Sequence, residues 1–473
     1  MTSGSDIAAG SENIGSADSR KSVIVIGAGL GGLLTAAALA KEGRDVTVLE
    51  KLSLIGGRFV NFEYKGYQLS TGALHMLPHG VKGPLATMVK ELGGQITVVP
   101  SSPMAMVRVP TDKTASDYSG GFEDIPSAQF KDHLSLKNKL IMGKLTAKYL
   151  AGMIPEEDIG FKSWFTQYFR DDRMERYADS FAGWSLSMTA DETSVSEMFA
   201  IFRNVAKYGG PGILMGGCSS VINELVRIIK ENGGRILTQK EVTSVILKEG
   251  KAAGIVCRDV RAKGYGDPET LTADLVISDI GHKETFCLYQ ENAEKDVQNG
   301  YLSADALRTY EEQLSKIRPS AGLKICFSCD EQLLTHGGIL LTPYARRING
   351  MDEVTNVDPT LAPEGKHLIM THQRTAPDRL DHIDEEIQMG LDDLKDIFPG
   401  KKLEILVIQV HRDGWPVNRA FSGTDCGNLT PVKDLYIVGD GAKGKGGIEV
   451  EGIALGVTKA LELIRGTAPE KEI

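Results

Sequence analysis

The 473-residue sequence contains no run of 18 apolar residues and no excess of basic side chains. A helix that crosses a bilayer needs about 20 mostly apolar residues, so we expect no membrane span. The formal net charge is −10, whereas nucleic-acid binding requires clustered lysine and arginine, so we expect no nucleic-acid partner. The chain is 41% hydrophobic and 25% charged. That composition and length indicate a globular protein of about two domains.

Cysteine and histidine are also scattered. Of the six cysteines, Cys326 and Cys329 are close, but they lie in an alternating β-run. Residues three apart on a strand face opposite sides, so this pair is not read as a redox or metal motif. The nine histidines show no metal-ligand spacing, and we predict no metal site. Free thiols indicate a reducing compartment, and hence a cytoplasmic protein.

The segment 21–58 carries the most informative pattern. An apolar strand leads into Gly27-x-Gly29-x-x-Gly32, and a helical run, a second strand and Glu50 follow. The first glycine permits a tight turn, the second lets a pyrophosphate approach the backbone, and the third lets helix and strand pack closely. The helix N-terminus attracts phosphate, and an acid placed like Glu50 accepts hydrogen bonds from a ribose diol. The segment therefore predicts a dinucleotide-binding βαβ unit.

Two further glycine-rich regions extend this pattern. A Gly-Gly-Arg segment at 56–58 follows the acid, and a strand near the C-terminus runs into Gly-Asp-Gly at 439–441 before Gly-Gly at 446–447 opens a last helix. With the fingerprint, these segments resemble the flavin-dependent amine oxidase and phytoene desaturase superfamily. The resemblance is closest to its phytoene desaturase and retinol saturase branch. It implies FAD as the cofactor.

The resemblance also implies an α/β fold: a discontinuous Rossmann-like FAD-binding domain and a substrate domain of mixed β-sheet with a helical cap. The chain also matches the family in a central block from Gly209 to Gly281, where a glycine-rich entry leads into a helix expected at 219–232 and then a strand pair. These motifs at the beginning, middle and end of the chain place the FAD-binding domain at 21–85, 209–285 and 425–473. The helical cap is expected at 86–208 and the sheet at 286–424. Strands are expected at 320–329, 338–344, 366–373 and 404–411. Residues 1–20 read as a disordered tail.

The family's cofactor contacts carry over to the positions that match its motifs. They are Gly27, Gly29, Leu30, Gly31, Gly32, Glu50, Lys51, Gly57, Arg58, Leu74, Val242, Gly439, Asp440, Gly447 and Ile448. The resemblance places Val242 against the adenine and Asp440 against the ribityl chain or a phosphate. Glu449 and Glu451 depart from the family, which often has small or neutral residues there. Such a carboxylate either lowers the flavin potential or balances the dipole of the last helix.

Three residues are candidates for catalysis. Lys324 falls where amine oxidases carry a lysine that holds a water against flavin N5; the alternative is a solvated strand lysine. His75 follows the segment 70–74, which passes the flavin ring in the family. It is either an acid–base group or a packed structural histidine. Trp415 lies where the family often places an aromatic residue or proline near the ring.

The segment 134–154 reads as an amphipathic, locally basic helix in an acidic protein. Its apolar positions include Leu134, Ile141, Leu145 and Met153, and its basic ones are Lys137, Lys139, Lys144 and Lys148. Such a helix either lies on a membrane surface, which would make the protein peripheral, or covers the core with its lysines in water.

The resemblance leaves two classes of function open. The first is an FAD-dependent oxidoreductase that transfers hydride between flavin N5 and a carbon–carbon bond of an apolar, isoprenoid- or carotenoid-like substrate. It would be a desaturase, saturase or isomerase with an unknown electron acceptor or donor. An amine oxidase-type flavoenzyme is the enzymatic alternative, favoured by an aromatic cage beside Lys324. The second class is a non-catalytic prenyl-lipid-binding chaperone of the GDP-dissociation-inhibitor kind, whose members lack an intact flavin fingerprint.

Overall fold

The computed structural model of the protein describes residues 21–112, 114–153, 159–261, 266–412, 420–421 and 424–467. The predicted tail, 1–20, and Trp415 lie outside these residues. Over the described residues the chain has an α/β fold, as predicted.

The secondary structure of the described residues alternates between strands and helices along the chain. The strands are β1 (Ser22–Ile26), β2 (Asp45–Glu50), β3 (Asn61–Tyr64), β4 (Tyr67–Ser70), β5 (Met76–Leu77), β6 (Val98–Pro100), β7 (Ala105–Pro110), β8 (Phe122–Pro126), β9 (Gly212–Leu214), β10 (Arg235–Thr238), β11 (Lys240–Lys248), β12 (Lys251–Asp259), β13 (Glu269–Thr272), β14 (Leu275–Ser278), β15 (Ala321–Cys329), β16 (Ile339–Leu341), β17 (Ile348–Glu353), β18 (His367–Thr375), β19 (Glu404–His411) and β20 (Leu435–Ile437). The α-helices are α1 (Leu30–Lys41), α2 (Pro84–Glu91), α3 (Leu136–Leu150), α4 (Phe161–Phe165), α5 (Asp172–Leu186), α6 (Val195–Tyr208), α7 (Cys218–Glu231), α8 (His282–Gln298), α9 (Ala304–Lys316), α10 (Ile383–Ile397) and α11 (Glu449–Ile464).

A parallel sheet of five strands, in the order β10-β2-β1-β14-β20, forms one half of the molecule. Its central strands β1 and β14 are mostly apolar because both faces of the sheet are covered. Successive side chains point to opposite faces, so Val23 and Val25 pack against α1, α7 and α11. Ile24 and Ile26 pack on the other side, against β11–β13, α8 and α9.

Helix α7 shows how the local sequence specifies this packing. Apolar residues recur every three or four positions, at Cys218, Val221, Ile222, Leu225, Ile228 and Ile229, and all of them are buried. This spacing places them on one helical stripe, which faces α1 and the sheet. The helix predicted from 219 to 232 is therefore confirmed within one residue at each end.

A seven-stranded sheet, in the order β19-β15-β18-β17-β16-β7-β8, forms the other half. Its pairs are antiparallel except for β16 with β7. The predicted strands are found as β15, β16, β18 and β19. The sequence did not predict β17, because its residues include Asn349, Gly350 and Asp352, which have low intrinsic strand propensity.

The predicted division of the chain needs two corrections. Residues 86–208 are not only a helical cap, because β7 and β8 extend the seven-stranded sheet. The alternating apolar residues of β7 fit a sheet partner that is remote in sequence. In addition, α8 and α9, which fall mostly within 286–424, pack against β11–β13 rather than the seven-stranded sheet.

Helices α4 to α6 cover the second half with an aromatic cluster. Phe161, Trp164 and Phe199 contact one another, with ring centroids 5.5 to 6.2 Å apart. Tyr149 of α3 stacks on Phe199 at 5.2 Å, which fastens α3 to the cluster. The opposite face of α3 leaves Leu136 and Leu140 exposed at 75% and 69%.

No helix within the described residues is both long and apolar enough to cross a membrane.

The helical layer over the parallel sheet gives a test of the fold. Leu34 of α1 is completely buried, so Leu34→Ala should lower the free energy of unfolding by about 2–5 kcal/mol. Alanine keeps helix propensity, and the loss therefore reports on packing. Leu52, which is 56% exposed, provides the matched control, and Leu52→Ala should change stability by less than about 0.5 kcal/mol. Urea unfolding followed by circular dichroism at a fixed FAD concentration measures both; equal losses would contradict the packing.

Candidate functional site

The candidate site lies at the edge of the parallel sheet where β1, β2, β14 and β20 all end. Because the carboxyl ends of parallel strands meet at one edge, the residues that follow them converge there. A cavity of about 290 Å³ opens at this edge. Of the predicted cofactor contacts, eight line it: Gly29, Leu30, Gly31, Gly57, Arg58, Leu74, Gly439 and Asp440.

Close backbone contacts explain the glycines of this edge. Gly27 has φ +92°, a left-handed conformation that side chains rarely adopt. A Cβ on Gly32 would overlap the carbonyl oxygen of Gly27, and one on Gly31 would lie 2.6 Å from the amide nitrogen of Gly439. Gly57 approaches Gly29, with 3.3 Å between its Cβ position and the Gly29 Cα. Three remote segments thus form one glycine cradle.

The remaining predicted contacts lie outside the cavity lining, and some of them support the cradle. Glu50 accepts hydrogen bonds from the backbone N–H groups of Ala28, at 2.9 Å, and Leu52, at 2.8 Å. It therefore holds the turn, while its contact with a ribose stays a prediction. A Cβ on Gly447 would overlap Gly452, and Ile448 is the residue from which α11 begins. The positions predicted to contact the cofactor that do not line the cavity are Gly27, Gly32, Glu50, Lys51, Val242, Gly447 and Ile448.

Charged groups are paired across the cradle. Arg58 forms an ion pair with Asp440, whose other oxygen lies 2.8 Å from the buried Nζ of Lys443. Burial opposes the ionised form of Asp440, but the charges of Lys443 and Arg58 hold its pKa below the ordinary value. Two cations therefore hold the carboxylate of Asp440 in its ionised form.

Lys324 is buried in the middle of β15, not solvated. Its Nζ donates to the carbonyl oxygens of Ser70, at 3.0 Å, and Ala73, at 3.1 Å, and to the Ser70 hydroxyl, at 2.6 Å. Burial lowers the pKa of Lys324. An ammonium group has three donors, and each has an acceptor here. These contacts favour a role in positioning the segment 70–74 over the predicted role of holding a water.

The two glutamates at the start of α11 have separate roles. Glu451 accepts hydrogen bonds from the backbone N–H groups of His79, at 3.2 Å, and Leu85, at 2.8 Å, so it ties α11 to the start of α2. Glu449 instead lines the cavity and has a positive φ of 43°. Burial raises the pKa of Glu449 to about 7. Only Glu449 thus faces the space available to a flavin.

His75 is enclosed, and its ring takes part in the core. The backbone N–H of Cys218 donates to Nδ1 at 3.2 Å, so Nε2 carries the proton and donates to the carbonyl of Gln68 at 2.8 Å. Burial lowers the pKa of His75 to about 4. His75 does not appear in the cavity lining, and these contacts favour the structural alternative.

Sequence reasoning missed several residues that line the cavity. They include Asp279, His282, His372, His411 and Lys443. Asp279 carries a signal that the sequence offered, since it directly follows the apolar strand β14 at the edge where ligands bind. His372 and His411 gave none, because their places depend on how β18 and β19 join the seven-stranded sheet. No group of three or more potential metal ligands occurs within the described residues.

The glycine cradle, the helix N-terminus behind it and the paired charges define a protein that binds a dinucleotide cofactor at the carboxyl edge of a parallel sheet. Gly29, Gly31, Gly57 and Gly439 line the cavity without side chains of their own, so a ligand can approach the backbone there and the residues present fit a dinucleotide.

The chain belongs to the family of flavin-containing amine oxidoreductases, whose model matches residues 30–442. A protein of Methanocaldococcus jannaschii described only as uncharacterized is 40% identical over 440 residues, covering 93% of this chain and 98% of its own. The crystal structure of an oxidoreductase from Methanosarcina mazei matches with a TM-score of 0.86 and 48% identity, over 93% of this chain and 100% of that one. Prolycopene isomerase 2 of an Oncidium hybrid cultivar is 23% identical over 485 residues, covering 88% of this chain and 79% of its own.

The family resemblance and the FAD cofactor predicted from the sequence are therefore confirmed. The protein is an FAD-dependent oxidoreductase of the amine oxidase superfamily. The backbone N–H groups at Gly29 to Gly31 would hold the pyrophosphate, and α11 would direct its N-terminus at the flavin. Bound FAD supplies the group that accepts or donates a hydride.

The cradle makes a direct prediction about FAD affinity. Gly31→Ala would force its methyl group against the backbone of Gly439, which cannot rotate away. We expect FAD affinity to fall at least about tenfold, equivalent to about 1.4 kcal/mol. Gly143 in α3 has open space around its Cβ position, so Gly143→Ala is the control and should bind FAD like the parent. Titration of the FAD-free proteins with FAD measures this; unchanged affinity in Gly31→Ala would contradict the close contact.

Proposed function

We propose that the protein transfers hydride between FAD and a carbon–carbon bond of an apolar, isoprenoid- or carotenoid-like substrate, as a desaturase, saturase or isomerase. The observation that carries the proposal is the lining of the cavity. Among the described residues that line it, Phe59 is the only Phe, Tyr or Trp. An amine oxidase-type cage would need facing aromatic rings at the flavin cavity, whose described lining instead offers aliphatic side chains such as Leu74, Val410 and Ile453.

Two further observations support this choice. Prolycopene isomerase, whose name states a carotenoid substrate, aligns over most of the chain. The second half of the molecule has a large apolar interior that includes the aromatic cluster of α4 to α6. An apolar substrate needs such surroundings, because burial of each methylene group is worth about 0.8 kcal/mol. The intact glycine cradle favours this enzyme over the prenyl-lipid-binding chaperone, whose members lack that fingerprint.

The proposal includes an assignment of the two halves. We assign the parallel sheet and its helices as a Rossmann-like FAD-binding domain built from 21–85, 209–285 and 425–473, to which α8 and α9 are added. We assign the seven-stranded sheet, with β7 and β8 and the helices α3 to α6, as the substrate domain.

Anaerobic mixing of the FAD-loaded enzyme with polyenes in detergent micelles tests the proposed substrate class. We expect the visible flavin band to change for a polyene, and chromatography to show a desaturated, saturated or isomerised product. Primary amines serve as the contrasting substrates. A band that responds to amines and to no polyene would overturn the proposal in favour of the amine oxidase alternative.

Lys324 provides a sharper test of the positioning role. In Lys324→Met the Ser70 carbonyl keeps its hydrogen bond from Gln409, at 3.0 Å, and the Ala73 carbonyl keeps that from the Ser70 hydroxyl. We therefore expect FAD to remain bound while flavin reduction or oxidation by substrate slows at least about tenfold, about 1.4 kcal/mol in the barrier. Lys65→Met, which removes an exposed ion pair with Glu404, is the control. Stopped-flow measurement of flavin reduction and oxidation at equal flavin content tests this expectation. A rate in Lys324→Met equal to that of the parent would show that Lys324 has no role in the reaction.

We also propose that α3 contacts a membrane surface, from which such a substrate would be drawn. The face opposite the core exposes Leu136 and Leu140 beside Lys137, Lys139 and Lys144. Apolar side chains flanked by lysines suit the boundary between acyl chains and anionic headgroups.

Vesicle flotation tests this contact. Each buried leucine contributes about 1.5–3 kcal/mol, so the double variant Leu136→Ser/Leu140→Ser should float with anionic vesicles at least about tenfold less than the parent. Leu52→Ser changes an exposed leucine outside α3 and is the control. If the double variant floats as well as the parent, α3 is an ordinary covering helix.

A further inference from the structure

The carboxyl group of Asp279 lies inside the glycine cradle. Asp279 is not among the residues that the sequence predicted to contact the cofactor. Asp279 is the first residue after β14, the strand between β1 and β20. It lines the cavity together with Gly29, Gly31 and Gly439.

Its position is defined by the three glycines around it. A Cβ on Gly29 would overlap Oδ2, and one on Gly439 would overlap Oδ1. The Cβ position of Gly31 lies 2.8 Å from Oδ1. The carboxyl group therefore occupies the space that the absent side chains of these glycines leave open.

That space adjoins the N-terminus of α1. No side chain caps this helix, and no acidic residue lies in its first turn. Its first N–H groups and its dipole attract an anion, which is the property that the pyrophosphate of a dinucleotide uses. An ionised Asp279 and the pyrophosphate would therefore compete for the same position near the N-terminus of α1.

The surroundings of Asp279 disfavour its charge. Its Oδ2 is buried and has no hydrogen-bond partner among the described residues. Burial raises the pKa of Asp279 well above its ordinary value, and the charges of Asp440 and Glu50 act in the same direction. The backbone N–H of Gly32 and the guanidinium of Arg58 oppose the rise, but the charge of Arg58 is shared with Asp440.

Other titratable groups reach the cavity from the elements packed around Asp279. These are His282, Lys283 and Glu284 of α8, His411 of β19 and Arg412 beyond it, His372 of β18, Cys426, Lys443, and Glu449 of α11. Of these, Glu449 has a pKa of about 7 because of its burial, so it needs a separate control in any pH experiment.

We propose that Asp279 couples FAD binding to the uptake of one proton. The pyrophosphate brings two negative charges to the place where Asp279 lies, so the bound state requires the neutral carboxylic acid. FAD is therefore held less tightly as the pH rises. The coupling concerns cofactor binding alone and does not depend on the substrate.

The expected slope follows from linkage. The pKa of Asp279 is higher with FAD bound than without it, because the pyrophosphate adds repulsion to the ionised form. Below the pKa of the FAD-free protein the carboxyl is already neutral, and affinity is independent of pH. Between the two pKa values FAD affinity falls about tenfold for each pH unit.

The test compares FAD affinity across pH in the parent, Asp279→Asn and Glu449→Gln. Dissociation constants come from titration of the FAD-free proteins, followed by flavin fluorescence, from about pH 6 to about pH 9. Asn is isosteric with Asp but carries no charge. We expect the affinity of Asp279→Asn to lose the parent's pH dependence and to exceed the parent's at least tenfold at the alkaline end. Asp274→Asn is the matched control, because Asp274 lies at the opposite end of β14, where it accepts a hydrogen bond from the backbone N–H of Ser22 at 2.8 Å. Its FAD affinity should keep the parent's pH dependence.

Two results would overturn the proposal. One is a pH dependence of FAD affinity that persists in Asp279→Asn, including the case in which only Glu449→Gln abolishes that dependence. The other is weaker FAD binding by Asp279→Asn at every pH, which would make the ionised carboxylate a ligand. A direct measurement covers the case in which the variant fails to fold. FAD mixed with the FAD-free parent in weak buffer with a pH indicator should remove about one proton per FAD bound at alkaline pH; no uptake at any pH would reject the coupling.

Discussion

The structure depends on backbone touching backbone at the carboxyl edge of the parallel sheet. Gly31 at the start of α1 meets the amide of Gly439, and Gly32 meets the carbonyl of Gly27. The contact with Gly439 joins the first described segment to the turn that follows β20, and it requires that β20 lie beside β14 and β14 beside β1. No side chain fits in between, so the same contacts leave a cradle in which a pyrophosphate can approach N–H groups directly.

Around this cradle the protein encloses ionisable groups and controls each through its neighbours. Asp440 stays ionised because two cations face it. For Glu449, burial outweighs the charges of Lys443 and Lys324 and raises its pKa to about 7. Lys324 is buried but surrounded by three acceptors. In this site, burial and the neighbouring charges together set the ionisation of each group.

The parts of the fold that the sequence predicted are those specified over short distances. The turn glycines, the apolar run of β1 and the stripe of α7 each encode their structure within one turn or one strand. The prediction failed for β17, whose Asn, Gly and Asp are accepted only because β16 and β18 pair with it. It failed also for β7 and β8, because β7 joins the sheet through β16, which follows more than 200 residues later in the chain, and β8 joins it through β7.

The glycine spacing and the acid at the end of β2 determined the cofactor class in advance, since a turn of that shape depends on residues within about thirty positions. The tertiary structure alone decided which side chains surround the cofactor. It buried Lys324 among three acceptors, placed the His75 ring between two backbone groups, and set the Asp279 carboxyl inside the cradle. The reason is physical: burial and pKa depend on the segments packed against a residue, and those segments come from distant parts of the chain.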